Sequence, residues 1–124
     1  VYIVSHSMGH AYAMGMCAAL KGRVNYGDCY IIAPENPRGK TFASSDWKNV
    51  WQYGTFRNGK SKQAPCQQDG VAPQSLVKGL SATNRISFPT DHSRQMGFFN
   101  SHFIGYYTWI FDIPKGNPGY VKQF

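Results

Sequence analysis

The segment of residues 1–20 constrains the fold more than any other part of the chain. It opens with Val1, Ile3 and Val4, an apolar run that is typical of a buried strand. Small and polar residues follow at positions 5–9 and indicate a tight turn, and the alanine-rich stretch that ends at Leu20 is typical of a helix. A strand that turns sharply into a helix predicts an α/β domain.

Three later segments also have the composition of strands. They are apolar, β-branched or aromatic, and they cover residues 29–33, 49–54 and 85–89. Lys21 and Gly22 are expected to end the helix, and two prolines within residues 34–39 exclude a helix there. A short amphipathic stretch at residues 42–47 precedes the third strand. Strands separated by such crossovers predict a mostly parallel sheet.

The turn carries the most specific motif of the chain. Residues 5–9, Ser-His-Ser-Met-Gly, resemble the G-x-S-x-G nucleophile elbow of the α/β-hydrolases, with Ser5 in place of the first glycine. The resemblance implies that Ser7 is the nucleophile and that the Met8 backbone N–H, at the positive end of the helix dipole, stabilises the oxyanion. Small residues at positions 5 and 9 are expected to let the strand and the helix approach closely.

The resemblance also bears on domain organisation. An α/β-hydrolase domain is about twice as long as these 124 residues, and the nucleophile strand begins at Val1. We therefore expect residues 1–124 to be a partial α/β-hydrolase domain, the C-terminal half, with a mostly parallel sheet and flanking helices. The resemblance implies that the N-terminal strands and the second oxyanion donor lie outside this sequence, and that activity requires that missing N-terminal half.

Two carboxylates are candidates for the acid of a Ser-His-Asp triad. Asp69 begins the sequence Asp-Gly-Val-Ala-Pro after the third strand and resembles the acid-bearing loop of α/β-hydrolases. Its position after the third strand and before the histidines gives the chain order Ser, Asp, His that the family shows, and it is the preferred acid. Glu35, after the second strand, is the alternative, since some lipase-like enzymes carry their acid there. Either carboxylate would orient the catalytic imidazole and fix its tautomer.

Two histidines follow the last predicted strand and are candidates for the base. His102 precedes an aromatic, helix-like stretch at residues 103–111, and several lipase-like families place their catalytic histidine at the mouth of the final helix. His92 lies closer to the end of the strand, where many other hydrolases have theirs. We prefer His102 and keep His92 as the alternative.

The resemblance predicts a lipase-like serine esterase that cleaves carboxylic esters through an acyl-enzyme. Aromatic side chains at Phe98, Phe99 and Phe103 favour an acyl-binding cleft and a small-molecule or lipid ester as substrate. The alternative is a catalytically inactive hydrolase-fold protein that keeps the elbow and serves in binding or interaction.

The distribution of charges and of cysteines argues against several other classes of protein. The net charge of +7 is the balance of 13 Lys and Arg residues against 6 Asp and Glu residues, and the basic residues are scattered, so no nucleic-acid partner is expected. Cys17, Cys29 and Cys66 have no metal-ligand spacing, and we expect no metal or organic cofactor. Cys17 and Cys29 are instead expected to be small buried apolar residues. No apolar run approaches the ~20 residues of a membrane span, and the compartment, secreted or cytoplasmic, stays open.

Overall fold

The computed structural model describes residues 1–35, 37, 42–56, 77–80 and 85–89, with the backbone alone for 54–56 and 85–89. The elements follow in chain order: β1 (Ile3–His6), α1 (Gly9–Leu20), β2 (Asp28–Ile32), a 3₁₀ turn (Ser44–Asp46), β3 (Asn49–Phe56) and β4 (Arg85–Pro89). The expected strand–turn–helix opening of the chain is therefore confirmed.

The four strands form one sheet in the order β1-β2-β3-β4, and every neighbouring pair is parallel. Ile3 of β1 pairs with Cys29 of β2, which pairs in turn with Val50 of β3. Parallel strands need crossover connections, and α1 supplies the first of these, between β1 and β2. The described part of the chain thus belongs to the α/β class, as the strand pattern predicted.

One face of the sheet carries the hydrophobic core. Cys29 and Ile31 of β2 are fully buried there in a cluster with Phe42, Trp47 and Val50, and Met14 and Cys17 of α1 pack against it. The expectation for Cys29 is confirmed, and burial raises the pKa of its thiol. Cys17 is half-buried, so the expectation holds for it only in part.

Helix α1 ends where the sequence predicted. Lys21 leaves the helical conformation with ψ of 128°, and Gly22 has φ of +77°, a value that glycine adopts without steric strain. The Tyr26 hydroxyl donates a hydrogen bond to the carbonyl of Cys17 and ties the following loop to the last turn of the helix. In the part of the chain that the structure describes, no helix has the length and hydropathy to cross a bilayer.

Residues 33–35, 37 and 42–48, the described part of the crossover between β2 and β3, contain no long helix. The amphipathic stretch forms the 3₁₀ turn, and the buried rings of Phe42 and Trp47 flank it. Trp47 stacks on Tyr26 with ring centroids 4.5 Å apart. Gln52 of β3 accepts a hydrogen bond from the Val77 amide at 2.9 Å, which holds the segment 77–80 against the sheet.

Candidate active site at the strand–helix elbow

Ser7 stands between β1 and α1 in a backbone conformation that is rare for a residue with a side chain. Its φ is +53°, in the left-handed region, which costs an L-residue other than glycine about 1–2 kcal/mol. Met8 is already helical, with φ of −58° and ψ of −25°, and α1 begins at Gly9. The chain therefore changes from strand to helix within two residues, and the change of backbone direction occurs at Ser7.

Three backbone hydrogen bonds hold Ser7 in this conformation. Its amide donates to the carbonyl of Ile32 at the end of β2, at 3.1 Å. Its carbonyl accepts from the amide of His10 at 3.1 Å and from the amide of Glu35 at 3.3 Å. A strained residue persists only where its surroundings determine it, and here they come from α1, from β2 and from the loop that follows β2.

The neighbouring strand also ends in a strained residue. Ala33, directly after β2, has φ of +41°, and its amide donates to the carbonyl of Tyr53 at 2.9 Å. Ser7 and Ala33 thus lie at the carboxyl ends of two adjacent parallel strands. In open α/β sheets this edge is where ligands bind, and strained backbone is common at such sites.

The amino end of α1 lies directly behind Ser7. The first amides of a helix have no partner within the helix and carry the positive end of its dipole. Met8 is the N-cap residue, and within the described part of the chain its amide donates no backbone–backbone hydrogen bond. This N–H can therefore donate to a negatively charged oxygen that forms next to Ser7.

Ser5 and His10 form a buried pair beneath the elbow. Each is 4 % exposed, and Ser5 Oγ lies 3.4 Å from His10 Nδ1. Burial lowers the pKa of His10 to about 4, so its ring is neutral at pH 7. Sequence reasoning assigned this histidine no function. The available signal was the polar Ser5 at a motif position that normally holds glycine, because a buried hydroxyl needs a partner.

The expectation of a close approach at Gly9 is wrong. Among the described residues, a Cβ atom placed on Gly9 meets nothing within 4 Å apart from its chain neighbours and the backbone of its own helix, and the φ of Gly9 is not positive. The first turn of α1 therefore leaves room beside the elbow. Ser5, the other position expected to be small for this reason, instead fills its space with a hydroxyl that contacts His10.

The candidates for the acid and the base divide between two parts of the chain. Glu35 lies beside the elbow, because its amide donates to the Ser7 carbonyl. Asp69, His92 and His102 lie outside the described residues. The structure therefore brings Ser7, the Met8 amide and the backbone of Glu35 together at one edge of the sheet.

A cavity of about 210 Å³ lies between α1 and the 3₁₀ turn. His10, Met14 and Cys17 of α1 line it, together with the aromatic stack of Tyr26 and Trp47. No group of three or more His, Cys, Asp or Glu side chains within residues 1–35, 37, 42–56 and 77–80 could hold a metal ion.

Comparisons of the chain with protein-family models, with curated proteins and with solved structures found no match. What the geometry defines is a parallel α/β sheet with a strained serine at its carboxyl edge, backed by the amino end of a helix.

Proposed function

We propose that this chain is part of a lipase-like serine esterase of the α/β-hydrolase type, with Ser7 as its nucleophile. The observation that carries the proposal is the positive φ of Ser7 at the junction of β1 and α1. A plain strand-to-helix connection has no need for a strained residue with a side chain, whereas a nucleophile elbow does, since the strain exposes the hydroxyl at the edge of the sheet.

The proposed reaction begins with attack of Ser7 Oγ on the acyl carbonyl of an ester. His102, or alternatively His92, takes the hydroxyl proton and returns it to the leaving alcohol, which leaves the acyl group on the serine. Water then attacks the acyl-enzyme with the same histidine as base, and the acid and free serine are regenerated. Asp69, or alternatively Glu35, orients the imidazole and stabilises its protonated form.

The Met8 amide would stabilise the negative charge on the carbonyl oxygen in both steps. Loss of one such donor in a serine hydrolase lowers turnover by roughly 100- to 1000-fold. The proposal is supported here by the position of this N–H at the N-cap of α1, directly after the nucleophile, where the helix dipole favours negative charge. The substrate class that we propose is a small-molecule or lipid carboxylic ester.

Covalent labelling of the intact protein with a fluorophosphonate probe tests the nucleophile. The wild-type protein should become labelled, and Ser7→Ala should not. Ser45→Ala is a matched control, because Ser45 is exposed on the 3₁₀ turn, away from the elbow, and this variant should be labelled as well as the wild type.

Equal labelling of the wild type and Ser7→Ala would contradict the proposal. Folded wild-type protein that takes up no label would favour the alternative, a hydrolase-fold protein that binds without catalysis. In an ester-hydrolysis assay, Ser7→Ala should lower kcat by several orders of magnitude and leave the free energy of unfolding nearly unchanged, as expected for a member of a catalytic unit.

A further inference from the structure

The buried pair of Ser5 and His10 has no part in the proposed chemistry, yet it spans the elbow. Ser5 is on β1, His10 is in the first turn of α1, and Ser7 lies between them in the chain. A buried hydroxyl and a buried imidazole each lose their hydrogen bonds to water, so the contact between Ser5 Oγ and His10 Nδ1 compensates both.

His10 holds the elbow through two separate contacts. Its backbone amide donates to the carbonyl of Ser7 at 3.1 Å, and its ring meets Ser5, two residues before Ser7. The backbone hydrogen bonds that Ser7 makes with Ile32 and Glu35 hold it on the side of β2. On the other side of the elbow, the contact of the His10 ring links β1 to α1. Both side chains of this contact lie beneath the turn.

We infer that His10 is a positioning residue for Ser7, and that Ser5 replaces the usual glycine of the motif because its hydroxyl supplies the partner for the His10 ring. The inference rests on the proposed function, since it concerns the orientation of the Ser7 hydroxyl. Loss of the pair would let β1 and α1 shift across the elbow, and Ser7 Oγ would spend less time in the reactive orientation.

Two amide substitutions at position 10 separate the hydrogen bond from simple packing. His10→Asn places a polar atom on Cγ, where Nδ1 stands in histidine, so it can still meet Ser5. His10→Gln carries its amide one carbon further out and cannot. Ser5→Ala removes the hydroxyl alone. Val50→Ala is the control for general destabilisation, because Val50 is buried in the core on β3 and lies in register, through Cys29, with Ile3 at the start of β1.

The rate of Ser7 phosphonylation by the fluorophosphonate probe, in which Ser7 Oγ bonds to phosphorus and fluoride leaves, is measured for each variant, followed by kcat and KM with an ester. His10→Gln and Ser5→Ala should each lower the phosphonylation rate and kcat by roughly five- to tenfold, the loss expected for one hydrogen bond, with little change in KM. His10→Asn should stay within about twofold of the wild type. The double variant of Ser5→Ala and His10→Gln should lose no more than either single variant, because both remove the same contact.

The inference is overturned if His10→Gln reacts as fast as the wild type, if His10→Asn is as slow as His10→Gln, or if Val50→Ala loses as much rate. These outcomes leave the proposed function standing, because the wild type still labels at Ser7. A wild-type protein that takes up no label overturns both the proposed nucleophile and the positioning role.

Discussion

Replacing Ser7 by glycine and by alanine separates the backbone strain at the elbow from the chemistry of its hydroxyl. Alanine keeps the Cβ atom and hence the strain of φ +53°, and glycine removes it. The left-handed conformation costs a residue with a Cβ about 1–2 kcal/mol. Glycine loses about 0.5–1 kcal/mol more conformational entropy on folding than alanine does. The difference predicts that Ser7→Gly is more stable than Ser7→Ala by up to about 1.5 kcal/mol.

The same comparison of alanine with glycine at a position on α1 is expected to change the free energy of unfolding in the opposite direction. Ala18 is exposed and helical, so Ala18→Gly should lower the free energy of unfolding by about 1 kcal/mol. Urea unfolding of the full chain, followed by tryptophan fluorescence, measures both comparisons. If Ser7→Gly is less stable than Ser7→Ala by about the same 1 kcal/mol, position 7 does not have a left-handed backbone, and the elbow is refuted.

Three further predictions concern Gly9, His10 and the choice of the catalytic acid. Gly9→Ala should raise the free energy of unfolding by up to about 1 kcal/mol, because the added methyl group has space at the start of α1; a loss of stability in urea unfolding would contradict this. Burial lowers the pKa of His10 to about 4, so between pH 7 and pH 4.5 only the unfolded protein binds a proton at this histidine. The free energy of unfolding should therefore fall by about 2–3 kcal/mol as the pH is lowered from 7 to 4.5, and it should fall less in His10→Asn. Asp69→Asn should lower kcat by several orders of magnitude and Glu35→Gln only slightly; the reverse result would make Glu35 the acid.

Local sequence signals predicted the order of the elements and most of their ends. A strand lies at Arg85–Pro89 and the helix ends at Leu20, as expected, because β-branched and apolar runs and a closing glycine act within a few residues. The turn at Ser7 was also visible in the sequence, since small residues between an apolar run and an alanine-rich stretch tolerate the backbone conformations of a tight turn.

The features of the fold that the sequence did not predict depend on contacts between residues that are distant in the chain. β3 continues to Phe56, two residues beyond the expected end, where its last residues pair with β4. β2 begins at Asp28 rather than at Cys29, because the buried Asp28 carboxylate accepts a hydrogen bond from Asn49 Nδ2 at 2.7 Å. The partnership of Ser5 and His10 likewise depends on how β1 and α1 meet in three dimensions.

The most direct test of Ser7 as a nucleophile at a strained elbow is a crystal structure of the full chain after reaction with a fluorophosphonate. We expect phosphorus bonded to Ser7 Oγ, a phosphonyl oxygen about 2.7–3.1 Å from the Met8 nitrogen, and a histidine ring, His102 or His92, within hydrogen-bond distance of Ser7 Oγ. An adduct on another residue, or a Ser7 adduct with its phosphonyl oxygen turned away from the Met8 amide and no histidine beside it, would contradict the account.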